Sequence, residues 1–90
     1  MPETIRLIVE GKVQGVFYRQ STREKATELG ITGTVKNLPG GDVEIIATGT
    51  PGQLKQLAHW CNHGPRGAVV TKVSSTPLPL QPFQQFIIIR

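Results

Sequence analysis

A single cysteine, Cys61, is all that this ninety-residue chain carries. No intramolecular disulfide can form and no Cys-x-x-Cys redox or zinc pair exists, so a reducing compartment is expected, with a cytoplasmic location as the default. Histidine is almost as scarce. His59 and His63 stand one helical turn apart, but the glutamate of His-Glu-x-x-His is missing and no third ligand of evident spacing accompanies them, so no metal is expected. Long apolar runs are missing too. No stretch approaches the length that crosses a bilayer, and Met1-Pro2-Glu3-Thr4 lacks the basic-then-apolar pattern of a secretion signal, so a soluble protein with no membrane partner is expected. There is no internal repeat, linker or low-complexity segment.

What the chain does have is a core and a positive charge. Residues 1–90 make one domain, which on folding should bury roughly 60 to 65% of the surface of the unfolded chain, enough for a core without metal or disulfide support. The formal net charge is +4 and the pI about 9.7. The basic residues are dispersed rather than bunched, so the charge suits a small anionic ligand as well as a nucleic acid.

Hydrophobic periodicity divides the chain. Thr4 to Val9 alternates around Ile5, Leu7 and Val9 and reads as a strand. From about Phe17 to Leu29 the spacing turns helical, with Thr22, Ala26 and Leu29 on one face and Gly30 placed to end the helix. Its start is open: Ser21 and Glu24 match a capping box, yet residues 17–20 contain no breaker, so the first turn could also begin at Phe17 or Tyr18. Ile31 to Asn37 is a second strand, Leu38-Pro39-Gly40-Gly41-Asp42 a tight turn, and Val43 to Thr48 the returning arm of a hairpin. A second helix comes next, with Thr50 as N-cap, Pro51 at the first position, Gln53 closing a capping box, and Leu54, Leu57, Ala58 and Cys61 along one face. Gly64-Pro65 stops it. Ala68 to Ser75 reads as a fourth strand, Thr76 to Pro82 as a proline-rich connection, and Phe83 to Arg90 as a fifth strand. This order predicts an α+β, ferredoxin-like split β-α-β sandwich, βαββαβ plus a C-terminal fifth strand. The sheet should be mostly antiparallel with both helices on one face.

The segment between the first strand and first helix is the most informative. Gly11-Lys12-Val13-Gln14-Gly15-Val16-Phe17-Tyr18 leads directly into Arg19, and small residues let several backbone N–H groups converge on one hollow. Capped by a guanidinium, such a hollow suits a tetrahedral dianion. A right-handed crossover makes the first two strands parallel, which brings Asn37 to the same sheet edge as the loop and as the start of the first helix, whose dipole also favours an anion.

Gly11-x-Val13-Gln14-Gly15-Val16-x-x-Arg19, with Gly33-x-Val35-Lys36-Asn37-x-x-x-Gly41-x-Val43 and Gly49 after it, resembles the two signatures of the acylphosphatase family. The similarity runs on through Gly64-Pro65-x-x-Ala68-x-Val70 to Phe86-x-Ile88-x-Arg90. Thr34 departs from it, standing where the family often has an aromatic residue. The resemblance implies hydrolysis of acyl phosphates without metal or cofactor. Arg19 matches the phosphate-binding arginine, Asn37 the water-positioning asparagine, and Gln14, Gly15, Val16, Phe17 and Tyr18 the loop whose amides hold the phosphoryl oxygens. It further implies a small-molecule acyl phosphate as substrate, phosphate or sulfate as inhibitor, no nucleic acid, and a monomer.

The chemistry is feasible for so few groups. The leaving carboxylate has a conjugate acid of pKa about 4 to 5, judged from side-chain carboxyls, and so departs at neutral pH without a proton donor. Phosphoryl transfer otherwise needs positioning and electrostatic stabilisation, which an asparagine and an arginine with backbone amides can supply. Two other readings stand beside it. An RNA-binding module shares the architecture, but Ile5, Leu7, Val9, Ile45 and Ala47 offer no stacking aromatic in the two strands expected at the centre. A non-catalytic anion-sensing domain, like the acylphosphatase-like modules of larger carbamoyl-handling proteins, would have no need of both Arg19 and Asn37.

Overall fold

The computed structural model describes residues 1–90. In chain order the elements are β1 (Glu3–Lys12), α1 (Tyr18–Leu29), β2 (Thr32–Asn37), β3 (Val43–Gly49), α2 (Pro51–Cys61), β4 (Val69–Leu78) and β5 (Phe86–Ile89). The strands form one five-stranded sheet in the order β4-β1-β3-β2-β5. β1 pairs antiparallel with both β3 and β4, and β2 pairs antiparallel with β3 and parallel with β5. This is the ferredoxin-like arrangement expected from the element order.

One face of the sheet makes the core. Leu7 and Val9 of β1, Val35 of β2, and Val43, Ile45 and Ala47 of β3 are all fully buried, the every-second-residue pattern that points side chains to one side. α1 covers β2 and β5, while α2 covers β1, β3 and β4. From α2 come Leu54, Leu57 and Cys61, and from α1 Tyr18, Thr22 and Ala26, spaced four apart on a single stripe. Each fully buried aliphatic side chain stabilises the fold by roughly 1.5 to 3 kcal/mol.

Several boundaries differ from those read in the sequence. β1 extends past Val9 to Lys12, because Gly11 and Lys12 pair with Val70 and Val69 across a bulge at Glu10/Gly11. Gly11 therefore belongs to the strand. A Cβ there would collide with the Val69 carbonyl, so its role is to let two backbones approach. α1 begins at Tyr18, one of the starts the sequence left open, with Phe17 as N-cap and no side-chain cap, so the alternative Ser21/Glu24 capping box does not form. β4 continues through Thr76 and Pro77 to Leu78, in place of the expected connection; as an edge strand it tolerates a residue without an N–H. β5 is shorter than expected, starting at Phe86 rather than Phe83.

The capping box of α2 is as the sequence predicts: Gln53 N–H donates to Thr50 Oγ1 at 3.2 Å and Thr50 N–H to Gln53 Oε1 at 2.8 Å. At the sheet end away from the glycine loop, Gln81 is tied to β1 and β3. Its N–H donates to Thr4 Oγ1 at 2.8 Å, and its carbonyl accepts from Thr48 Oγ1 at 2.7 Å. The β4–β5 connection, which must pass from one edge of the sheet to the other, is thereby anchored midway.

Candidate active site

β1 and β2 run parallel, each being antiparallel to β3, so their C-terminal ends and the start of α1 share one edge of the sheet. The turn from β1 into α1 uses two left-handed residues, Gly15 (φ 76°) and Phe17 (φ 59°, ψ 26°). Phe17 is the only non-glycine residue with positive φ, a conformation that costs a bulky L-residue about 1 to 2 kcal/mol, and its side chain is 77% exposed. Its neighbour Tyr18 offsets the strain. Tyr18 is buried, its ring lies 5.7 Å from that of Trp60, and its hydroxyl donates to the Cys61 carbonyl at 2.8 Å. Burial pushes the Tyr18 phenol far above its usual range, so it stays protonated and keeps donating.

The backbone N–H groups of Gln14, Gly15, Val16, Phe17, Tyr18, Arg19 and Gln20 donate to no protein acceptor; the first amide of α1 to do so is that of Ser21, to the Phe17 carbonyl at 3.0 Å. A run of free amides in alternating turn conformations at the positive end of a helix is an anion-binding concavity. Arg19 stands at its rim. Its Nη1 donates to the Ile89 carbonyl of β5 at 3.3 Å, which holds one arm of the fork and leaves the other for a ligand. The hollow beside the loop has a volume of about 510 Å³ and is bordered by Gly15, Phe17, Arg19, Arg23, Ile88 and Arg90, among others.

Gln14 has a second role that the sequence did not reveal. Its Nε2 donates to the carbonyls of Leu38 at 3.0 Å and Asp42 at 2.8 Å, bracing the loop against the β2–β3 turn directly after Asn37. The two motifs are thus tied together. Asn37 does not border the hollow; it ends β2 next to Lys36, whose partner across the strands is Ile89, the residue that holds Arg19. Its Oδ1 is fully buried and has no hydrogen-bond partner, the only buried side-chain polar atom so left. An orphaned buried acceptor costs about 1 to 3 kcal/mol.

The sequence reads Arg23 as solvated charge near the loop and assigns Arg90 no role, yet both border the hollow. A signal for Arg23 exists, one helical turn beyond Arg19 on the same face. Arg90 closes the terminal Phe86-x-Ile88-x-Arg90 pattern, but only the parallel pairing of β5 with β2 brings it alongside. Lys36 lies 3.6 Å from Glu44, which also pairs with Arg6 at 2.7 Å on the sheet face opposite the helices. That face carries no aromatic strand residue, the one aromatic in the sheet being the buried Phe86. His63 Nδ1 is 3.2 Å from the His59 carbonyl, and no third His, Cys, Asp or Glu joins the pair. Cys61 is buried in the core, where burial pushes its thiol up to about 12. No helix is long and apolar enough to cross a membrane.

A glycine loop and an arginine at the start of the first helix, with an asparagine at the end of the second strand on the same sheet edge, belong to an α+β protein of the ferredoxin-like class. The family model described as Acylphosphatase matches residues 5–88. An acylphosphatase of Marinobacter nauticus is 58% identical over 81 residues, covering 89% of this chain and 88% of that one. Among solved structures, an acylphosphatase from Coxiella burnetii superposes with a TM-score of 0.95 at 41% identity, covering 98% of this chain and 93% of that one. Acylphosphatase from Bacillus subtilis gives 0.95 at 33% identity and full coverage of both chains. The chain belongs to the acylphosphatase family.

Proposed function

We propose that this chain hydrolyses acyl phosphates, the mixed anhydrides of carboxylic and phosphoric acids, to carboxylate and inorganic phosphate. The observation that carries the reading is the run of free amides from Gln14 to Gln20 beside the half-free fork of Arg19. The amides of the 14–18 loop and Arg19 hold the phosphoryl oxygens, and their preorganised dipoles stabilise the charge spread over them in a loose transition state. Asn37, at the end of β2 on the same edge of the sheet, positions the attacking water through its carboxamide.

Water attacks phosphorus directly and the carboxylate leaves from the opposite side, with no phosphoenzyme. The P–O bond to the acyl oxygen breaks with its electron pair going to the carboxylate. Asn37 is no base, so the water's proton passes to a phosphoryl oxygen or to solvent. Neither metal nor cofactor takes part. Inorganic phosphate and sulfate, having the same tetrahedral oxygens, compete for the cradle. The protein acts as a monomer in the cytoplasm, a single domain over residues 1–90. Hydrolysis of acetyl phosphate in water enriched in heavy oxygen tests the mechanism. The label is expected in the phosphate; label in the acetate would overturn it.

A further inference from the structure

The hollow beside the loop holds more positive charge than a phosphoryl group needs. Arg19 and the amides suffice for that group, yet Arg23 and Arg90 border the same hollow. Neither has a carboxylate partner: the ion pairs of the molecule are Arg6–Glu44, Lys25–Glu28 and Lys36–Glu44, none of them here. Three guanidinium groups with no side-chain carboxylate within 4 Å of them favour an anionic ligand larger than one phosphoryl group.

A second hollow of about 630 Å³ adjoins the first, running between α1 and β5 past Thr27, Gln85 and Ile87. Arg23, Ile88 and Arg90 border both, so the two arginines stand where one hollow opens into the other. In-line displacement puts the attacking and leaving oxygens on opposite sides of phosphorus. With water held by Asn37, the acyl group lies on the side away from it, and Asn37 borders neither hollow. An acyl chain directed into the joined hollows passes Ile88, which offers an apolar wall, toward Arg23 and Arg90.

We infer that Arg23 and Arg90 form a second anion site at the acyl end, selecting acyl phosphates whose acyl group carries a further negative group, a carboxylate or a phosphate. This rests on the hydrolysis proposed above. Each arginine is free to make a charge-assisted, two-pronged contact, and an acyl chain must be long enough to pass Ile88 before its distal group reaches them.

Benzoyl phosphate, 4-carboxybenzoyl phosphate and 4-phosphonobenzoyl phosphate test it, since they differ only in the distal group. The expected result is a kcat/KM for at least one of the two charged substrates roughly fivefold or more above that for benzoyl phosphate, the size of a partly solvated charge pair. The carboxylate and phosphonate arms show which group is favoured. In Arg23→Gln and Arg90→Gln the ratio falls toward one, whereas in Lys55→Gln, which removes the same charge from α2, it stays at its original value. Equal kcat/KM for all three substrates, or a preference that survives both arginine substitutions, would overturn the inference while leaving the hydrolysis intact. No turnover of any of the three would remove the proposed hydrolysis and the inference with it.

Discussion

Arg19→Lys separates charge from geometry at the cradle. Arginine rests one arm on the Ile89 carbonyl at 3.3 Å and offers the remaining edge of its fork to two phosphoryl oxygens. Lysine keeps the positive charge but presents a single ammonium on a flexible stem, without a planar edge held in place by β5. One charge-assisted hydrogen bond is then lost in the transition state. Such a bond is worth about 1.5 to 3 kcal/mol; taking about 2 for a partly solvent-exposed pair gives a kcat/KM lower by roughly thirtyfold. The assay is hydrolysis of benzoyl phosphate monitored by its ultraviolet absorbance, with the inhibition constant of inorganic phosphate measured alongside. Both kcat/KM and phosphate affinity should fall, because the fork acts on ground state and transition state alike. The melting temperature should hardly change, since Arg19 is only half-buried and its one protein contact lies in a solvent-exposed position. A kcat/KM within about threefold of the original, a loss too small for a whole charge-assisted bond, would refute the role given to the guanidinium.

Asn37→Ala should lower kcat by about a hundredfold or more, as removal of a positioned polar group does elsewhere, while equilibrium binding of inorganic phosphate is retained. Gly33→Ala should destabilise the fold by about 2 to 4 kcal/mol in urea titrations, because the residue has a left-handed φ and a methyl group would meet the Ile46 carbonyl. Gly52→Ala, in the first turn of α2 with open space around it, should instead be neutral or stabilise by up to about 1 kcal/mol. The buried Cys61 thiol predicts a loss of stability in alkali. Its folded pKa is raised to about 12, from 9.0, so the unfolded chain releases this proton first. The contribution is complete below pH 9 and fades at about 1.4 kcal/mol per pH unit as pH climbs toward 12, with Tyr18 adding a slope of the same sign above its ordinary value. Chemical denaturation at pH 8 and pH 11 checks this, and Cys61→Ala should flatten part of the slope.

The sequence revealed topology better than edges. Alternation in β1 and β3 and the capping box at Thr50 are local signals that no tertiary contact needed to override, and the handedness of the crossover then placed Asn37 at the end of the sheet that holds the loop. Edges failed where one residue has two meanings. Pro77 reads as a breaker but sits in a strand with a free side, and Gly11 reads as loop although it marks a bulge. The start of α1, left open between the Ser21/Glu24 box and Phe17 or Tyr18, is settled by the backbone turn at Phe17. At the candidate site, Arg19 and Asn37 are proposed because the motif names them. The brace from Gln14 was not legible, since its partners are carbonyls that any residue would carry, and Arg90 depends on a parallel pairing that periodicity cannot specify.

The strand order also sets how this chain must reach its native state. Only β2 and β3 are both adjacent in the sheet and consecutive along the polypeptide; every other pairing joins segments separated by at least a helix, the longest tying Thr4 to Leu78. Loop-closure entropy must be overcome before those distant pairings return any stabilisation, so refolding should proceed over milliseconds to seconds rather than microseconds. Until it docks against β2, Phe86 to Ile89 is an unpaired apolar ribbon, open to capture by another molecule in the same condition.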